Sequence, residues 1–257
     1  MEKKFRIWEN GEVEISFYPA AHKACSSTIV IFPGGGYRGR AAHEGENYAF
    51  LFNTFGMNAF VVHYRVSPHR FPLPLLDARR AVRFVRANAE EFGIDKDKVI
   101  VIGSSAGGHL AALLSTYYDA IDGEGIDEID NEDYLPNAQI LCYPVISSDE
   151  SIAHIGSYKN LLGEEGYEKR DKYAPDLLVS ERTPKAFIWH TVTDNGVSVI
   201  NSYKYAEALL KNGVNYELHV FPLGTHGQAL GAHTPYVSEW TTLLRRWLTL
   251  NGYLNNF

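Results

Sequence analysis

Gly103-Ser104-Ser105-Ala106-Gly107 fits the pattern G-x-S-x-G, with Ser105 at its centre. It follows the β-branched run Val99–Ile102 and leads into an Ala-rich apolar stretch, Ala106 to Tyr118. A strand, a tight turn and a helix in that order force the central serine onto an elbow, with its hydroxyl projecting above the sheet. Flanking glycines are expected because such a turn leaves no room for Cβ atoms. Without this context the five residues are a weak signal, since a serine that merely caps a buried helix reads the same way.

A serine hydroxyl becomes a useful nucleophile only when a base takes its proton, and the base needs an orienting acid. In an open α/β sheet both should come from loops at the carboxyl ends of later strands. Asp194, in Thr193-Asp194-Asn195-Gly196, follows the run Ala186–His190, and His226, in Gly224-Thr225-His226-Gly227, follows the run Tyr216–Phe221. Ser105, Asp194 and His226 therefore stand in the order nucleophile, acid, base. Asp-Asn-Gly is also a good turn sequence, so a turn-forming role competes for Asp194, with Asp149 as the reserve acid. Of the ten histidines, His233 lies nearer the final helix. His109 falls on the helix that Ser105 opens, where a packed supporting group is expected rather than the base.

Acyl transfer also requires N–H donors aimed at the developing oxyanion. Pro33-Gly34-Gly35-Gly36-Tyr37 follows the run Thr28–Phe32, and the expected donors are Gly35, Gly36 and the Ala106 amide next to the nucleophile. The same loop satisfies G-x-G-x-x-G through Gly34, Gly36 and Gly39, a dinucleotide fingerprint. That reading requires an acidic residue closing the second strand to hold the ribose. The run ending near His63-Tyr64-Arg65 offers none, so no cofactor and no metal are expected.

These residues need a frame. Short apolar runs at 28–32, 59–64, 99–102, 140–143, 186–190 and 216–221 are near-continuous rather than alternating, as a parallel sheet covered on both faces requires. Helix-period segments lie between them at 74–92, 106–118, 199–210 and 236–250. The segment 74–92 is apolar on one side and basic on the other. This alternation predicts a doubly wound, mostly parallel α/β sheet with helices on both faces. Residues 7–17 alternate as an antiparallel edge hairpin would. A single domain, 1–257, is expected, with a cap-like insertion at about 147–184, since so long a connection usually folds over a site. Tyr37, Tyr143, Tyr158 and Tyr173 could line a sugar-stacking mouth or could pack their own loops. Between Asp119 and Asp133 eight residues are acidic. No EF-hand spacing is present, and a solvated surface loop is expected.

Composition narrows the classes. With 24 Lys+Arg against 31 Asp+Glu the net charge is −7, which disfavours nucleic-acid and anionic-membrane partners. No run approaches the ~18 apolar residues that span a bilayer. The charged first six residues do not read as a signal peptide, so a cytoplasmic protein is expected. Two cysteines, Cys25 and Cys142, make neither a disulfide framework nor a metal set and are expected as free, buried thiols.

Four ordered motifs carry a resemblance. Phe32-Pro33-Gly34-Gly35-Gly36-Tyr37, Tyr64-Arg65-Val66-Ser67-Pro68, Gly103 to Leu110, and the tail Trp189-His190-Thr191 through Glu217–Pro222 to His226-Gly227 are similar to those of α/β-hydrolase-fold esterases and lipases. The likeness is to the small bacterial esterases related to hormone-sensitive-lipase-like enzymes and to acetylxylan- and feruloyl-esterase-like proteins. It covers roughly Ser27 to Leu250. The resemblance implies a serine esterase that removes short acyl groups, often acetyl groups on sugars, through an acyl-enzyme intermediate and without a cofactor. Its partner would be a small-molecule ester such as an acetylated sugar, and a homo-oligomer is allowed. Pro33 stands where the usual oxyanion motif has histidine, and Val197-Ser198 where many relatives have Val-Pro. An amidase or peptidase with the same triad, and a catalytically silent ligand-binding hydrolase, are the alternatives.

Overall fold

The computed structural model describes residues 2–234 and 236–255. Positions 1, 235, 256 and 257, which the single-domain expectation also spans, lie outside the described residues. The strands are β1 (Lys3–Arg6), β2 (Glu14–Tyr18), β3 (Thr28–Phe32), β4 (Asn58–Val62), β5 (Val99–Ser104), β6 (Ala138–Cys142), β7 (Ala186–Thr191) and β8 (Tyr216–Phe221). The helices are α1 (Glu46–Thr54), α2 (Leu73–Ala87), α3 (Ala89–Phe92), α4 (Ala106–Thr116), α5 (Ile155–Leu162), α6 (Pro175–Leu178), α7 (Ile200–Lys211) and α8 (Glu239–Leu250).

All eight strands join one sheet in the order β1-β2-β4-β3-β5-β6-β7-β8. Pairing is parallel from β4 through β8 and antiparallel between β1 and β2 and between β2 and β4. Because strand side chains alternate between faces, each central strand feeds two cores. Val30, Phe32, Val101, Leu141 and Ile188 pack beneath α2, α4 and α7, while Ile31, Ile102, Ile140, Phe187 and Trp189 pack against α1 and α8. Strands buried on both faces explain the near-continuous apolar runs. Trp189 stacks on Trp240 of α8 with ring centroids 5.2 Å apart.

Four details differ from the sequence reading. The hairpin exists, but its strands are set further out than 7–17, and residues between them form the turn in which the Ile7 amide bonds Val13 O. Helix 74–92 breaks at Asn88, which leaves the helical region at φ −105°, ψ 23°. The last helix begins at Glu239 because Tyr236 has φ +69°. Helix α1 had no clear periodic signal.

The acidic segment is a solvated loop only in part: Asp119, Asp122, Glu128 and Asp133 are exposed, but others are paired. Glu124 accepts from Arg79 and Arg83, Asp127 takes both terminal nitrogens of Arg80, and Asp130 lies 3.1 Å from Arg80 Nη1. Arg79 and Arg80 are themselves buried, stacked near Tyr134 and Trp8. The acidic run thus neutralises the basic face of α2. Cys142 is buried as expected, whereas Cys25 is only half-buried. Among the described residues no helix is long and apolar enough to cross a membrane.

Candidate active site

Ser105 sits between the end of β5 and the start of α4 with φ +53°, ψ −120°. A non-glycine residue in this region costs roughly 1–3 kcal/mol and persists only where its surroundings over-determine it. Here they do. The Ser105 amide bonds Cys142 O, and its carbonyl accepts from the amides of His109 and Val145. A side chain on Gly107 would start 2.0 Å from Phe32 O, and one on Gly103 would start 2.0 Å from Gly107 O. The two glycines let β5, α4 and the end of β3 close around the elbow. The serine makes no helix-capping bond; its hydroxyl points elsewhere.

Ser105 Oγ lies 2.8 Å from Nε2 of His226, and His226 Nδ1 lies 2.8 Å from Oδ2 of Asp194. The Asp194 carboxylate therefore accepts from Nδ1–H, which leaves Nε2 as the acceptor for the serine proton. Asp194 Oδ1 also takes the amides of Gly196 (2.8 Å) and Val197 (2.9 Å). Burial pushes this carboxyl pKa up, but hydrogen bonds from His190, His226 and the Val197 amide outweigh it and hold the group well below the usual range. The acid stays ionised and aimed at the imidazole. The turn reading and the catalytic reading of Asp194 are compatible, since one oxygen closes the turn and the other faces His226.

Among the described residues the amides of Gly35, Gly36 and Ala106 donate to no carbonyl or side chain. Gly35 has φ +126° and Gly36 φ +64°. A Cβ on Gly35 would also lie 2.4 Å from Gly39 O, so this bend needs glycine. Gly34 plays a different part, since its amide donates to Oε2 of Glu44 at 2.7 Å.

Glu44 is the residue that the sequence did not reveal. It is buried, and its Oε1 accepts from the Tyr143 hydroxyl at 2.7 Å. That hydroxyl accepts the Ala229 amide at 2.9 Å, and the Tyr143 ring meets the His226 ring edge-on at 5.2 Å. One carboxylate thus ties the glycine loop to the loop that carries the base. Tyr37, Tyr143 and Tyr158 are buried and do not form an open mouth. Tyr37 bonds His109, and Tyr158 donates to Ile146 O. Tyr173 is half-buried, and its carbonyl faces His109 Nε2 at 2.9 Å.

Among the described residues the side chains of the competing residues make no hydrogen bond to Ser105, His226 or Asp194. Asp149 is paired with Lys204 and Ser151, and His233 is exposed. His109 is fully enclosed, and burial lowers its pKa to about 4. Among the described residues no cluster of three or more His, Cys, Asp or Glu is arranged to hold a metal ion. A serine–imidazole–carboxylate line, buried at Ser105 and Asp194 and reached by solvent at the His226 ring, lies beside unpaired amides and is suited to attack on a carbonyl carbon.

The chain is similar to known proteins in sequence and in fold. The BD-FAE family model matches residues 15–209. The chain is 37% identical over 256 residues to endo-1,4-beta-xylanase B of Butyrivibrio fibrisolvens and 34% identical over 255 residues to an acetylxylan esterase of Xylanibacter ruminicola. Those matches cover 93% and 96% of this chain but only 40% and 50% of the two relatives, so the chain spans half or less of their length. An acetyl ester-xyloside bifunctional hydrolase from Caldicellulosiruptor lactoaceticus superposes with TM-score 0.92 at 40% identity, covering 98% of this chain and 97% of that one. A butyrate-bound thermophilic esterase of Thermogutta terrifontis superposes with TM-score 0.83 at 26% identity, covering 100% and 96% of the respective chains. The sheet order, the serine elbow and these matches lead to one conclusion: the chain has the α/β-hydrolase fold and belongs to the BD-FAE family.

Proposed function

We propose that this protein is a serine carboxylic-ester hydrolase that removes short acyl groups, acetyl foremost, from carbohydrate esters. The observation that carries the reading is the unbroken hydrogen-bonded line Ser105–His226–Asp194 beside the unpaired amides of Gly35, Gly36 and Ala106. The acetyl and sugar parts rest on what the relatives are named for, an acetylxylan esterase and an acetyl ester-xyloside hydrolase.

Ser105 Oγ attacks the ester carbonyl carbon while His226 Nε2 takes its proton. The carbonyl π electrons move onto oxygen, where the three amides stabilise the charge. When the tetrahedral intermediate collapses, His226 returns the proton to the departing alcohol oxygen and an acyl-serine remains. Water then attacks the acyl carbon with His226 again as base, and the acid and Ser105 are released. Asp194 fixes the tautomer and stabilises the imidazolium throughout.

The test is hydrolysis of p-nitrophenyl acetate, butyrate and octanoate by the wild type and by Ser105→Ala. Activity that falls steeply with chain length and drops by about three orders of magnitude or more in the variant supports the reading. Near-native turnover in Ser105→Ala would overturn the mechanism. A folded wild type inert on all three esters would shift the assignment to amides or to ligand binding.

A further inference from the structure

His154 precedes α5 and caps it. Its Nδ1 accepts the Ser157 amide at 3.2 Å and lies 2.8 Å from Ser157 Oγ. A backbone N–H can only donate, so Nδ1 presents its lone pair and the neutral ring carries its proton on Nε2. Burial, followed by repulsion from His226, lowers the pKa of this ring below the ordinary histidine value, in keeping with the neutral form. Among the described residues Nε2 has no hydrogen-bond partner.

The half-buried ring stands over the glycine loop. Its Cε1, the carbon between Nδ1 and Nε2, is 4.0 Å from the point where a Gly36 side chain would begin, and Ser157 Oγ is 3.8 Å from the same point. One turn further along α5, Asn160 donates to Gly36 O at 2.8 Å. The start of α5 is therefore fastened to the loop that supplies the oxyanion amides, and His154 overlooks the space beside them.

This N–H, left without a protein acceptor beside the glycine loop, is open to an acceptor that a bound substrate brings. In a bound ester the carbonyl oxygen is already met by the backbone amides, and an acetyl group carries no further polar atom. The acceptor must then belong to the alcohol. We infer that His154 is a substrate-binding residue whose Nε2–H donates to a hydroxyl or ring oxygen of the alcohol half of the ester. It thereby favours polyhydroxylated alcohols over phenols. This inference rests on the carbohydrate-ester reading above.

Two substitutions separate binding from capping. In His154→Asn the carboxamide oxygen can still accept the Ser157 amide, but no donor reaches the Nε2 position. In His154→Gln an N–H is restored close to that position. The quantity to measure is the ratio of kcat/KM on a mono-acetylated methyl xyloside to kcat/KM on phenyl acetate, with thermal melting as a check on folding. Loss of one such hydrogen bond should lower the ratio about tenfold in His154→Asn, mainly through KM, and His154→Gln should recover most of it. If the ratio holds within about twofold in His154→Asn, whether or not both activities fall together, the inference is overturned while the esterase reading stands. A wild type that cleaves phenyl acetate but not the xyloside overturns the carbohydrate reading and this inference with it.

Discussion

Nε2 of His190 lies 3.3 Å from Oδ2 of Asp194, the oxygen that also receives His226. The His190 ring is fully buried and cannot turn, because Nε2 faces Val197 O at 3.0 Å and Nδ1 faces Ser202 Oγ at 2.8 Å. A carbonyl only accepts, so Nε2 carries the proton and Nδ1 takes the serine hydroxyl. The acid is thus backed by a fixed ring whose one N–H is shared between Val197 O and Asp194 Oδ2. His190→Ala should lower kcat on p-nitrophenyl acetate roughly tenfold to a hundredfold, the equivalent of the ~1.5–3 kcal/mol typical of a hydrogen bond to a charged group. Steady-state kinetics on folded protein decides it; an unchanged kcat would mean that the Gly196 and Val197 amides hold Asp194 unaided.

The base has a spatial constraint of its own. A Cβ on Gly196 would stand 2.8 Å from Cγ and 2.9 Å from Cβ of His226. Gly196 is exposed, but relief of this overpacking should still cost about 1–3 kcal/mol of stability in Gly196→Ala. The added methyl must displace the imidazole, and a misplacement of about 1 Å can cost on the order of a hundredfold in rate. Comparison of kcat with the urea midpoint tests this. A stable variant with native kcat would show that the loop yields instead of the ring.

Ser105, Asp194 and His226 were legible because each lies in a short motif at the end of an apolar run, and the order of the runs sets the order of the loops. The supporting groups were not. Glu44 contacts Tyr143 across 99 positions, and His190 reads locally as one more residue of a buried strand. Nothing local distinguishes such residues from packing. The acidic segment misled for the same reason. Glu124, Asp127 and Asp130 look like mutually repelling surface charges until α2 brings Arg79, Arg80 and Arg83 against them from more than forty positions earlier. Charge clusters can be read for sign from the sequence, but their partners depend on tertiary approach.

His109 makes stability depend on pH. Its ring is enclosed by Tyr37, Tyr158 and the Tyr173 carbonyl, and burial lowers its pKa to about 4. In the unfolded chain an ordinary histidine titrates near 6.5. Between those values the unfolded state binds a proton that the folded state refuses. The stabilisation is therefore complete above about pH 6.5 and is lost as pH falls toward 4, by about 3 kcal/mol in all at ~1.4 kcal/mol per unit. Urea unfolding at pH 7.5, 6, 5 and 4.5 should show that slope, and His109→Gln, which does not titrate, should flatten it. A variant with the wild-type slope would show that other groups carry the dependence.

The clamp over α2 should govern stability without touching turnover. Arg80 is 2% exposed and meets Asp127 and Asp130, with Asp130 itself 2% exposed. Its Nε donates to Ile7 O, and its guanidinium lies 5.0 Å from the Trp8 ring centroid. Removing Arg80 strips Asp127 of its guanidinium and leaves Asp130 with Arg83 at 3.5 Å as its one cation among the described residues, and breaking a buried pair in this way typically costs about 3–5 kcal/mol. Arg80→Ala should accordingly lower the unfolding free energy by about that amount, while kcat per folded molecule stays close to wild type. Replacing the group together, Arg80→Met with Asp127→Asn and Asp130→Asn, should recover part of the loss, because the uncompensated carboxylates are then gone. Denaturant unfolding of the wild type, the single variant and the triple variant measures both terms. A single variant as stable as wild type would mean that water reaches the two carboxylates and solvates them, so that the clamp contributes nothing net to the fold.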